Sequence, residues 1–187
     1  MSRAYRISIE ESLSRHVEVD DGVASKLELL PILTRERTGD LLAAELEKKG
    51  FIREGDKAVR KDKDGVTVEV SLSDGEVKVT AKGAKSLELK TQRQGVTVEE
   101  SKTVREKELR KNAVAALEAE AQLEETKLRQ EVTEKLGARL KDLRGELDGV
   151  VNRVTAAALK ERASQLGTVE EVNENAETGE LTIKVRV

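Results

Sequence analysis

Between Thr97 and Leu166 the chain changes character, and this constrains its fold more than any other feature. β-Branched alternation stops, and Ala, Glu, Lys, Leu and Arg take over. Apolar residues then recur at Leu128, Val132, Leu136, Leu140, Leu143, Leu147, Val151, Val154 and Ala158, in steps of three or four. Such spacing draws one narrow apolar seam along a helix, the kind a partner helix covers. It is not a strict heptad, so a regular leucine zipper is not implied.

What covers the seam depends on three glycines, Gly137, Gly145 and Gly149. Each costs a helix about 1 kcal/mol relative to alanine. An unbroken helix of about 70 residues would extend roughly 100 Å and would need a second chain over its seam. A hairpin would bury the seam within one chain. Lys135-Leu136-Gly137 resembles a C-terminal cap and divides the segment into similar arms. The stretch from Gly145 to Gly149 has better loop chemistry, with Asp148 as the next N-cap, but leaves a short return arm. An antiparallel coiled-coil hairpin is favoured over a single rod, although the seam keeps its phase through all three glycines.

The flanking segments alternate with period two and read as strands. Tyr5, Ile7 and Ile9 begin the first, and Asp20-Asp21-Gly22 predicts a turn before Val23, Leu27 and Leu29. Pro31 ends this run. Thr34 then caps a helix that carries Leu42 and Leu46 and stops at Gly50. Val66, Val68, Val70 and Leu72 form a strand, Ser73-Asp74-Gly75 a turn, and Val77, Val79 and Ala81 the returning strand; Leu87 and Leu89 suggest one more. Thr97 and Glu100 have capping-box spacing at the start of the long helical segment. After Gly167, a terminal hairpin turns at Thr178-Gly179 and ends in the alternating Leu181, Ile183, Val185 and Val187. The fold class is α+β: an antiparallel sheet with one packed helix over residues 1–96, a long helical arm over 97–167, and a β-hairpin over 168–187 returning to the sheet.

Composition narrows the function. With one Phe, one Tyr and no Trp, the core rests on Leu, Val, Ile and Ala, and stacking on single-stranded nucleic acid is disfavoured. Charged residues make up 38% of the chain, yet the net charge is only −3 with both signs mixed. Neither nucleic acid nor a membrane surface is favoured as a partner. Cysteine is absent, which excludes disulfides and thiolate chemistry. No apolar run approaches the length of a membrane span and the N-terminus is unlike a signal peptide, so the expected location is cytoplasmic.

Candidate chemistry is thin. His16 is the only histidine, and it reads as an edge-strand surface residue. Glu18, Asp20 and Asp21, like Asp62-Lys63-Asp64-Gly65, read as turn chemistry rather than metal sites. Gly83-Ala84-Lys85-Ser86 lacks the glycines of a phosphate loop. Alanine-rich 113–121 suits close helix–helix packing. No cofactor, metal or small-molecule ligand is indicated.

The opening SRAYRISIEESLSRHVEVDDGVASKLELLPIL and the ending ETGELTIKVRV resemble small accessory proteins of certain bacterial gene clusters. These clusters encode an AAA+ ATPase (FtsH- or MoxR-like) and a von Willebrand A domain protein, the ternary systems. The resemblance lies more in the two ends than in the helical middle and includes no catalytic motif. It implies a non-enzymatic adaptor or substrate-handling component working beside an ATPase.

The expected function is therefore a non-enzymatic protein–protein interaction component. A protein partner or a second copy would engage the helical arm through Leu128, Val132, Leu136, Leu140, Leu143, Leu147, Val151 and Val154. The alternatives are a small chaperone or stalk-like module that holds another polypeptide, and an enzyme using carboxylates alone around Glu18, Asp20 and Asp21.

Overall fold

The structure, a computed structural model, describes residues 4–175 and 180–186. The elements are β1 (Ala4–Lys26), α1 (Arg35–Glu47), β2 (Ile52–Glu54), β3 (Lys57–Lys61), β4 (Val66–Ser71), β5 (Glu76–Val98), α2 (Lys102–Leu166), β6 (Thr168–Asn175) and β7 (Glu180–Arg186). Five strands form one sheet in the order β1-β5-β4-β3-β2. The fold is α+β, as the alternation predicts.

Several local expectations hold. Thr34 caps α1 by accepting a hydrogen bond from the Arg37 amide. The chain turns at Ser73-Asp74-Gly75, where Asp74 accepts from the Glu76 amide. Gly167 follows the last residue of α2.

The favoured hairpin is not formed. α2 is one helix of 65 residues and passes through Gly137, Gly145 and Gly149. The reason is energetic. Three glycines cost about 3 kcal/mol together. Val132, Leu136, Leu143, Leu147 and Val154 are all buried along the same helix, and each contributes about 1.5–3 kcal/mol. Sheet residues of the same chain lie against part of the seam: Gly83 against Leu128 and Val132, and Val77 and Val79 near Leu140, Leu143, Leu147 and Val151.

Three further expectations are corrected. Asp20-Asp21-Gly22 is not a turn: β1 runs straight through it for 23 residues, with Gly22 closely apposed to Val79 and Thr80 of β5. Thr97 does not cap α2; it remains in β5, and a 3₁₀ turn at Glu99–Ser101 precedes the helix. The terminal hairpin does not join the main sheet, since β6 and β7 pair with each other as a separate two-stranded sheet. Its Thr178-Gly179 turn and Val187 lie outside the described residues.

The chain divides into two compact units, Met1–Asp21 with Lys82–Thr133, and Gly22–Ala81 with Glu134–Val187. In the first, odd-numbered residues of the β1–β5 ribbon turn toward α2. Ile7, Val17, Val19 and Leu87 are buried, as are Leu109, Ala113, Leu117 and Ala121 of the helix. The seam thus begins about 20 residues earlier than the nine positions read from sequence, and alanine-rich 113–121 serves helix-on-ribbon packing. Approach is close at Gly83, where an added Cβ would lie 2.6 Å from Val132 Cγ2.

In the second unit, the register sets Ala58 opposite Val70, Val70 opposite Val77, Val68 opposite Val79 and Val66 opposite Ala81. Cross-strand partners share a face, and every one of these residues is buried. α1 contributes Leu42, Ala43 and Leu46 to the core, and α2 contributes Leu143, Leu147, Val150 and Val154.

Candidate protein-interaction site

Within the second unit, α2 has two chemically distinct flanks. One flank is locked by ion pairs. Arg60 of β3 donates to both oxygens of Glu146 at 2.9 and 3.0 Å, and to the Lys49 carbonyl at 2.9 Å. Its guanidinium lies 4.5 Å from the centre of the Phe51 ring, a cation–π arrangement. The Arg60 Nε lies 3.2 Å from Asp62, close enough for an ionic contact but without hydrogen-bond alignment. Asp62 in turn accepts from Arg139 Nε at 2.7 Å.

The Arg60 side chain is only 11% exposed. Burial by itself would lower its pKa, but the hydrogen bond and charge of Glu146, aided by Asp62, outweigh burial and leave it raised. The same hydrogen bond holds the Glu146 carboxyl below the usual carboxylate range. Farther along, Glu45 of α1 accepts from Lys48 and from Arg153, and Arg37 forks onto Glu161 at 2.9 and 3.0 Å. These pairs fix α2 beside α1 and the sheet.

The opposite flank of α2 is open. A cleft of about 1090 Å³ lies between α2 and the end of β1. Val77 and Val79 of β5 line its base, and Leu140, Leu143, Leu147 and Val151 of α2 line one wall. On the far side, Val23 is 43% exposed and Leu30 is 56% exposed. Lys26, Glu28, Lys141, Arg144 and Asp148 ring the mouth. An apolar concavity with a charged rim is the usual form of a recognition surface.

The eight seam residues therefore have different surroundings. Val132, Leu136, Leu143, Leu147 and Val154 are buried within the chain, whereas Leu128, Leu140 and Val151 are half-buried. Leu128 and Val132 face Gly83 in the first unit. Leu140, Leu143, Leu147 and Val151 reach the cleft. Sequence spacing locates the wall but not the cleft, because Val23, Leu30 and the β5 valines reach it only through the sheet topology. The Arg60 cluster was equally hidden, since Arg60 and Glu146 lie 86 residues apart.

Ser86 meets His16 across the β1–β5 ribbon, with its Oγ 3.0 Å from Nδ1, and Glu18, two residues along β1, places an oxygen 3.3 Å from Nε2. The His16 and Glu18 side chains are 57% and 78% exposed. A nucleophilic serine depends on a base held in a fixed orientation and on donors for the developing oxyanion, and these exposed strand side chains have the character of a surface contact. Lys85, from the segment compared with a phosphate loop, pairs with Glu124 on α2. Asp62 is taken up by Arg60 and Arg139, and Asp62 and Gly65 close a turn.

No described helix is long and apolar enough to cross a membrane. Among curated proteins and among solved structures, none shows significant similarity to the chain. The family model for FtsH ternary system domain X5 matches residues 1–187. With the whole chain covered, and with the two-ended resemblance read from sequence pointing the same way, the protein belongs to the FtsH ternary system domain X5 family.

Proposed function

We propose that the chain is a non-enzymatic, cytoplasmic interaction component of an FtsH ternary system, an adaptor that engages a protein partner through the wall of α2. The cleft beside α2 carries this reading. It combines the half-buried Leu140 and Val151 with the exposed Val23 and Leu30 under a charged rim. Exposed apolar surface that is rimmed by polar groups is a mark of interaction sites. The locked flank supports the same reading. Ion pairs hold α2 rigidly on one side, so the wall it offers on the other is preorganised, which lowers the entropic cost of binding.

The test is reconstitution with the ATPase and von Willebrand A components of the same system. Light scattering on the eluted species gives the stoichiometry. The adaptor reading expects a defined complex with at least one component, and ATP turnover that changes when the chain is added to the ATPase. Absence of any complex at micromolar concentrations contradicts it.

A further inference from the structure

β1 is the end strand of its sheet, and it is long for that place. It runs for 23 residues, whereas strands commonly span about 3–10. β5 pairs along one side, and among the described residues no strand lies beyond the other. A bare edge of this kind is a template for one more strand, and proteins blunt it with proline, with a short strand or with charges turned inward. β1 contains no proline, since the single proline of the chain is Pro31. It does carry two charges, Glu11 and Arg15, on the odd-numbered face that is otherwise lined by Ile7, Ile9, Leu13, Val17 and Val19.

The order of residues along this edge is self-complementary. Two copies of a strand related by a two-fold axis pair antiparallel, with one residue on the axis, and opposed residues share a face. With Leu13 on the axis, Ile7 stands opposite Val19 of the second copy and Ile9 opposite Val17. Arg6 stands opposite Asp20, Glu10 opposite His16 and Glu11 opposite Arg15. Every aliphatic residue from Ile7 to Val19 meets an aliphatic residue, and no like charges meet. The neighbouring registers fail. An axis at Ser12 sets Leu13 against Glu11 and Ile9 against Arg15, and an axis at Ser14 sets Glu10 against Glu18 and Val17 against Glu11. The two charges on the odd-numbered face therefore penalise other registers and suit this one.

The matching groups are accessible. Arg6 to Asp20 lies wholly within the first unit, and its even-numbered side chains are all exposed. Arg6, Arg15 and Asp20 have no ion pair among the described residues, and Glu11 meets Arg110 of α2. At the centre, Ile9 and Leu13 are only half-buried, while Ile7, Val17 and Val19 on either side are buried. A strand laid along the edge covers the two that are left.

We propose that the protein forms a two-fold dimer in which β1 of one copy pairs antiparallel with β1 of a second copy along Arg6 to Asp20, with Leu13 on the axis. The two ribbons then become one four-stranded sheet in the order β5-β1-β1-β5. About fifteen main-chain hydrogen bonds close the joint, because alternate opposed pairs exchange two each. The Arg6–Asp20 and Glu11–Arg15 pairs each occur twice by symmetry. This surface is separate from the cleft beside α2, so the dimer and the adaptor reading are tested independently.

Sedimentation velocity of the full chain at micromolar concentrations is expected to show a species of twice the 20.6 kDa chain mass. Arg6→Glu places like charges opposite Asp20 at both ends of the joint and should weaken the dimer at least about tenfold. Asp20→Arg should do the same, and the two substitutions together should restore the dimer. Both positions are exposed, and circular dichroism checks that the variants fold. Cross-linking reads the register, since the chain has no cysteine of its own. Opposed residues of an antiparallel pair have Cα atoms about 4.5–5.5 Å apart, within reach of a disulfide. A mixture of Ser12→Cys and Ser14→Cys chains should therefore cross-link on mild oxidation. Ser12→Cys alone should not, because its two copies stand two residues out of register.

A monomer at these concentrations overturns the proposal. So does a dimer that Arg6→Glu leaves intact, a charge exchange that fails to restore association, or cross-linking as efficient with Ser12→Cys alone as in the mixture. None of these results decides whether the chain assembles with the ternary-system components, which the reconstitution above measures separately.

Discussion

Replacing Glu146 by Gln tests whether ion pairs or apolar burial alone hold α2 to the sheet. The substitution keeps the shape and one acceptor oxygen but removes the charge that faces Arg60. Arg60 is 11% exposed and Glu146 is 22% exposed, so water screens the pair only partly. Losing one charge-assisted hydrogen bond costs about 1.5–3 kcal/mol, and stranding a buried cation would cost more. Asp62, 3.2 Å from Arg60 Nε, limits the damage. The expected loss is about 2 kcal/mol, or about 4–8 °C in Tm for a chain of this size. Urea unfolding followed by helical dichroism measures it. Adding Arg60→Met and the double variant completes a cycle, and the double should recover much of the loss, because replacing both partners of a buried pair is far milder than removing one. A loss below about 0.5 kcal/mol, as for surface pairs, or strictly additive effects in the cycle, would show that the pair is effectively solvated and does not hold the helix.

Three further outcomes are expected. Gly137→Ala and Gly145→Ala should each stabilise the protein by about 0.5–1 kcal/mol in urea unfolding, because an added Cβ at either site meets nothing within 4 Å; destabilisation would point to a turn there. Gly83→Ala should lower stability by about 1–3 kcal/mol, since its Cβ would press on Val132 at 2.6 Å, and a thermal melt reads the loss. Acidification should destabilise the fold: Lys127 and Lys85 hold the Glu124 carboxyl at about 2, and Glu146 and Glu45 are also lowered by their cationic partners. Groups with a depressed folded pKa contribute stability that is present above about 4.5 and is lost as pH falls through the folded value. Urea midpoints between pH 6 and pH 2.5 should therefore fall below about 4.5, and less steeply in Glu124→Gln.

Much of the local structure was legible because it depends on neighbours in sequence. Val66, Val68 and Val70 alternate, and they pair with Val77, Val79 and Ala81 across a turn that the Ser73-Asp74-Gly75 chemistry specifies. Thr34 caps its helix because the acceptor it offers lies three residues from the donor. Long-range features were less accessible. Asp20-Asp21-Gly22 has good turn composition, but pairing with β5 keeps it extended, and that pairing joins residues some 60 positions apart. The seam from Leu128 to Val154 revealed a surface to be covered without identifying the cover. Helix-on-helix and helix-on-sheet packing leave similar apolar periods on the helix, so the period alone does not separate a hairpin from a single helix laid on a sheet. The earlier Leu109, Ala113, Leu117 and Ala121 stripe has regular four-residue spacing, so extending the seam count backward would have found it. The cleft joins β1, β5 and α2, and no local pattern announces it.

The central claim, that α2 is one helix turned against the sheet of its own chain, is tested most directly by a distance along it. The chain has no cysteine, so Lys135→Cys with Arg162→Cys places two spin labels at exposed positions on either side of Gly145 and Gly149. Pulsed dipolar spectroscopy should give a single narrow distribution centred at about 40 Å, the span of a continuous helix at 1.5 Å per residue. A principal distance of about 15–20 Å, which a helical hairpin turning at Gly145 or Gly149 would produce, would contradict it.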